Sequence, residues 1–226
     1  MPSPLVMRRR APGGATYLIS PVGSLLSASA SSSATLTLAA SPAAGDALMV
    51  CTGDWNNGGN VAVSSVTDTN GAAWSRVAGP FFDGASTAVH EEIWRGDVVV
   101  GGSTTITAQL ASSAASFFIL AQEFAKAGGA WSTDGSYASS TPSSSVVQFP
   151  SLTPSGADEM YLGFVVIGGG STLTAGSTPT FTYEISTDGS AIAFSTSLTA
   201  GVAVAPTMLN STPTWDAIGV LTKAAS

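Results

Sequence analysis

A single histidine limits what this chain can do by acid–base or metal chemistry. His90 is the only imidazole and Cys51 the only thiol among 226 residues. Any Ser-His-Asp relay or histidine-bound metal therefore has to pass through one position. His90-Glu91-Glu92 lies in a β-rich run, where alternation sends His90 and Glu92 to one face and Glu91 to the other. A metal would need further ligands, and no second His or Cys exists to supply them. The run reads as a strand-surface histidine beside solvated carboxylates. Fourteen acids could in principle furnish a glycosidase pair, which needs two carboxyls roughly 5–9.5 Å apart. No segment is acid-rich, however, and Asp46, Asp68 and Asp188 fall in turn sequences where such side chains bond local backbone. Asp54, Asn56, Asn57 and Asn60 offer oxygens of the kind calcium takes, although loop chemistry accounts for the same residues. There is no nucleophile-elbow, Walker or EF-hand pattern. The expectation is a non-enzymatic protein with no catalytic residue, no metal and no cofactor.

The aromatic residues offer a different chemistry. Trp74, Trp94 and Trp215 fall within strand patterns and read as core or face packing. Trp55, beside Asn56 and Asn57, and Trp131 with Tyr137 fall in loop-like sequence. There, aromatic rings can stack on a glycan or anchor a protein partner. Arg8, Arg9 and Arg10 are three of only seven basic residues and read as an assembly contact to an acidic neighbour or as a solvated tail. The rest of the chain sets four basic residues against fourteen acids, a formal −10. That balance argues against nucleic acid as a partner, since phosphate binding needs clustered cations. Cys51 can form no intrachain disulfide and reads as a small buried hydrophobe inside Ala47–Cys51.

What must position these residues is a β structure. Charged residues are 9% of the chain and hydrophobic ones 44%, against a usual charged share of about 25%. Ser, Thr, Ala and Gly fill the difference, which suits extracellular proteins and subunits packed into assemblies. No run approaches the roughly 20 apolar residues of a membrane helix, so membrane insertion is not expected. The first thirty residues loosely resemble an export signal, but Ser20-Pro21 and Gly23 break the apolar stretch. We expect an extended arm over residues 1–16 and one sandwich domain over 17–226. Thr35–Leu38 and Thr104–Leu110 alternate, as half-buried strands do. Ala47–Thr52, Phe117–Leu120 and Met160–Ile167 are apolar on both faces, as central strands are. A helix over Ala111–Lys126 is conceivable, but aromatic density and Ser112-Ser113 favour a strand. Asn70-Gly71 and Asp188-Gly189 predict hairpins, 127–145 predicts a long surface loop, and Val202–Ala205 a short strand. Some twelve or thirteen closely spaced strands predict an all-β antiparallel sandwich. No internal repeat is visible.

Gly45-Asp46-Ala47-Leu48-Met49-Val50, then Val63–Val77 with its Asp68-Thr69-Asn70-Gly71 turn, Glu92-Ile93-Trp94, Thr104–Thr107 and Glu123-Phe124 together resemble a jelly-roll-like β-sandwich of tailed-phage virion proteins. Minor tail proteins of actinobacterial phages are the nearest in pattern, and Trp215–Val220 is similar to that family's closing strand. The resemblance spans 45–124, and 146–222 more loosely, through turn and core residues. It implies a virion location, in the tail or on the capsid exterior, other virion proteins as partners, and a homo-oligomer, trimers being common in such settings. It implies a minor tail or tail-tip component serving assembly or attachment, with host-surface glycan as a ligand. The alternatives are a capsid decoration protein and a carbohydrate-binding module of a surface adhesin.

Overall fold

In a computed structural model, residues 19–55, 61–83, 89–128, 130–142, 144–168 and 171–225 are described. The expected arm, Arg8–Arg10 included, lies outside them. The described residues form sixteen strands and no helix. The first eight are β1 (Ser20–Ala30), β2 (Ser33–Thr37), β3 (Ala47–Trp55), β4 (Val63–Asp68), β5 (Ala73–Asp83), β6 (Val89–Asp97), β7 (Thr105–Leu110) and β8 (Ser116–Ala125). The second eight are β9 (Ala130–Ser140), β10 (Val146–Gln148), β11 (Glu159–Ile167), β12 (Leu173–Thr174), β13 (Thr182–Ile185), β14 (Ala191–Ser195), β15 (Thr207–Asn210) and β16 (Trp215–Ala225).

The sheet orders carry a repeat that the sequence hides. A five-stranded sheet runs β1-β8-β3-β6-β5 and a three-stranded one β2-β7-β4. Adding eight to each strand number reproduces the other two sheets, β9-β16-β11-β14-β13 and β10-β15-β12. Each half nests its antiparallel pairs as a folded-over hairpin does: β1 with β8, β2 with β7 and β3 with β6, then β9 with β16, β10 with β15 and β11 with β14. That is jelly-roll wiring. In both halves the fifth strand joins the sixth on the edge of the large sheet. One echo survives in sequence. Ser41-Pro42 precedes Asp46 and β3, and Thr153-Pro154 precedes Asp158 and β11. In each half the proline carbonyl accepts a hydrogen bond from a loop glycine: Gly102 at 3.1 Å and Gly201 at 2.8 Å.

The four sheets stack as four layers. The two large sheets face each other across a central core that includes Met49, Cys51, Phe118, Leu120 and Phe124 from one half and Leu162, Phe164, Ile192, Phe194 and Val220 from the other. Aromatic pairs cross it, Phe124–Phe194 edge-on at 5.2 Å and Phe118–Phe164 tilted at 6.4 Å. β5 lies over β9 and β16, and at the far side the β1 amide of Leu25 donates to Glu184 on β13. The repeat maps one of these contacts onto the other, so the seam is isologous, like a two-fold dimer written into one chain. Each small sheet covers the outer face of its large sheet, over separate cores around Leu48, Val50, Ile106 and Phe117 and around Phe149, Tyr161, Met208 and Trp215.

Several expectations change. The segment 127–145 is not a long loop: it contains the eleven-residue edge strand β9, bonded to β16. Its Ser/Thr-rich sequence masks it because an edge strand needs few apolar residues. Asn70-Gly71 does not close a hairpin, since β4 pairs with β7 and β5 with β6. The turn is an arch between sheets, with both Asp68 carboxylate oxygens accepting from the amides of Asn70 and Ala72. Asp188-Gly189 does close the β13–β14 hairpin. The 202–205 segment is reduced to one isolated bridge, Leu152 to Val204.

Candidate functional site

β6 lies in an inner layer, so both of its faces are buried, and Val89-His90-Glu91-Glu92-Ile93 is buried throughout. The reading of His90 as a surface residue beside solvated carboxylates is therefore corrected. The alternation itself holds. His90, Glu92 and Trp94 point outward, toward β2-β7-β4, and Glu91 points into the central seam.

On the outward face a charged row spans three strands. His90 Nδ1 lies 3.2 Å from Asp54 Oδ2 on β3, and Nε2 lies 3.3 Å from Glu92 Oε1. Arg76 Nη1 on β5 is 3.4 Å from the same Glu92 oxygen. Glu92 also accepts from the Trp94 indole at 2.7 Å and from the Val63 amide at 3.2 Å. The two imidazole nitrogens face different carboxylates in opposite directions, Nδ1 within hydrogen-bond reach of Asp54 and Nε2 beside Glu92 without a hydrogen bond. That arrangement prevents convergence on one ion, and no group of three metal-ligating side chains occurs among the described residues. Burial raises Asp54 above the ordinary carboxylate range, and the His90 contact works against that rise.

Repeat equivalence shows that the fold does not demand this row. Met49 on β3 and Leu162 on β11 both face the seam, opposite Arg95 and Phe194 respectively. The outward positions Val165, Ile167, Ala191 and Ala193 of the corresponding strands β11 and β14 are all apolar. The second half fills the same gap with apolar side chains. Tyr161 stacks edge-on against Phe181 at 5.4 Å there. Among the described residues, the second half's ion pair on this face, Lys223 with Asp134, sits at the β9–β16 edge and not at the positions of the His90 row.

Buried carboxyl pairs form a second class of site. Glu123 meets Asp46, and burial together with that hydrogen bond and charge pushes it up to about 7. Glu159 meets Asp134: burial raises Glu159, while the Ser155 amide and hydroxyl and the Lys223 ammonium bring Asp134 below its usual range despite its own burial. Glu91 faces Asp216 across the central seam and is raised well above the usual range, mainly by burial. The expected turn role of Asp46 holds alongside this, since its carboxylate accepts from the Ala43 amide.

The residues singled out for glycan or partner contact scatter. Asn56, Asn57 and the Trp55 side chain lie outside the described residues, as does Asn60; Asp54 is taken by His90, which removes it from the calcium set. Trp131 is not a loop aromatic. It is 7% exposed on β9, its indole donates to the Gly45 carbonyl at 2.9 Å, and Lys126 Nζ sits 4.6 Å over the ring. Tyr137, also on β9, is 37% exposed and its hydroxyl donates to the Pro80 carbonyl. Cys51 is buried in the seam, as expected. Compared with protein-family models, curated proteins and solved structures, the chain matches none.

Proposed function

We propose that this chain is a non-enzymatic structural protein of a tailed-phage virion, a minor tail or tail-tip component that also contacts the host surface. The observation that carries the reading is polarity in the doubled sandwich. The start of β1, the end of β16 and the 126–130 link all stand at one pole, because Ser20 pairs with Ala125, Ala225 with Ala130, and Trp131 bonds Gly45. A rigid body entered and left at one pole suits attachment at that end and display of the opposite loops. The threonine-lined outer strands support the same reading. Thr35 with Thr107 and Thr37 with Thr105 bond across β2 and β7, an uncharged surface suited to close packing against other subunits. Mass spectrometry of purified particles should find the chain, and gold-labelled antibody should decorate the tail. Absence from the particles would sink the proposal, and label on the head would move it to capsid decoration.

A further inference from the structure

The edge of the first half's large sheet carries a feature that none of the residues singled out for glycan contact includes. Trp74 and Arg76 on β5 stand opposite Gly96 and Trp94 on β6. All three side chains lie on the outward face, where a sheet of three strands overlies one of five. The Trp74 indole lies flat on Gly96, so close that a Cβ at that glycine would meet the ring at 2.8 Å. Its Nε1 is tied to Asp68 Oδ2 at 2.8 Å, and that carboxylate is itself fixed by two backbone amides. Trp94 is held in the same manner, its Nε1 on Glu92 and the Arg76 guanidinium 5.9 Å over its ring.

Both indoles are partly exposed, and both have used their only polar atom. Each packs partly against the core beneath β2-β7-β4 and leaves part of its ring to solvent, already immobilised, so ordering cost on binding is small. Asp68 and Glu92 are consumed by the same anchoring bonds. The polar capacity left on this edge is therefore donor capacity. The Arg76 side chain is 37% exposed and touches Glu92 through one long 3.4 Å contact, leaving most of its N–H fork open. A partly exposed indole beside a half-exposed guanidinium matches a pyranose that carries a carboxylate: the ring stacks on the indole and the carboxylate takes the N–H groups that Glu92 leaves open.

We propose that Trp74, Arg76 and Trp94 form a binding platform for glycans bearing uronic-acid residues. This deepens the attachment role above and rests on it for the source of the glycan, but not for the binding itself. The test is calorimetry on the full chain with oligogalacturonate and with a neutral oligogalactoside of equal length. Oligogalacturonate should bind, with the neutral oligomer about tenfold or more weaker. Arg76→Lys, at an exposed position, should lose about tenfold because an ammonium cannot make the paired contact. Trp74→Leu should abolish measurable binding with an unchanged circular dichroism spectrum. Failure of oligogalacturonate to bind, equal affinity for the two oligomers, or undiminished binding by Arg76→Lys would each overturn the platform. A chain missing from purified particles would instead remove the virion location and leave this binding result standing.

Discussion

The two halves of the molecule share one wiring and fill it with different chemistry. Between its layers the first half sets Asp54, His90, Glu92 and Arg76 around Trp94. The second half sets Ile167, Ala191 and Ala193 among Tyr161, Phe149 and Trp215. Because the strand orders are identical, the second half acts as an internal control. It shows that an eight-stranded unit of this type closes with apolar side chains where the first half sets the His90 row. Buried pairs contribute little net stability against apolar replacements of similar shape. The ionic row is thus better understood as something one half carries than as something the fold requires.

The comparison breaks most visibly by placing the first half's charge in the second. Ala191→Glu would bury a carboxylate opposite Val165 with no cation near, and should cost about 5 kcal/mol or prevent folding, read by urea denaturation. Breaking the row where it exists should cost somewhat less. Glu92→Ala strands the Trp94 indole, the Val63 amide and the Arg76 guanidinium, an expected loss of about 3–5 kcal/mol, again from the urea midpoint.

A pH titration sharpens the comparison because both halves and the seam carry raised carboxyls. Burial raises Glu91, Glu159 and Glu123, the last to about 7, above an ordinary value of 4.5. Each holds its proton more tightly folded than unfolded. Their stabilising contribution is therefore complete below about 4.5 and is lost as pH rises through the folded value. Asp134 runs the other way: it is depressed, so its contribution is present above 3.8 and lost in stronger acid. The melting temperature should be highest near pH 4 and fall toward pH 8. Glu123→Gln should remove the part of that fall that runs from about 4.5 to about 7, and a profile unchanged by that substitution would refute the assignment. The smallest effect is expected from converting the ionic row to apolar chemistry as a set. Asp54→Leu, His90→Leu and Glu92→Met together should leave stability within about 2 kcal/mol of the parent. A much larger loss would make the row structural after all.

Much of the fold was legible because it depends on local pattern. The alternation of β2 and β7 and the two-sided apolar runs of β3, β8 and β11 marked half-buried and inner strands. The candidate site was less legible. The sequence fixes that His90 and Glu91 face opposite ways, but not how many layers cover each face. With one sheet on either side of β6, both ended in the interior. Trp131 was misplaced for a related reason: the polar alternation of β9 resembles a loop until its pairing with β16 is known. The repeat escaped because its two halves keep wiring and turn positions while their core residues differ. Only the Ser41-Pro42 to Asp46 and Thr153-Pro154 to Asp158 spacing marks it, together with the apolar runs that follow.

The 126–130 link and both outer ends of the strand array share one pole, and this frees the order of the halves from the geometry of the body. A circular permutant that begins with β9, runs to β16 and continues through a short Gly-Ser bridge into β1 would keep every pairing of the native sheets. Chain ends that lie together at a surface are where such rearrangement is tolerated. Read as heredity, the same geometry says that two copies of one gene segment could fuse in either order and reach this body. Each copy would then be free to diverge, so that one could carry a row of charges that the other lacks.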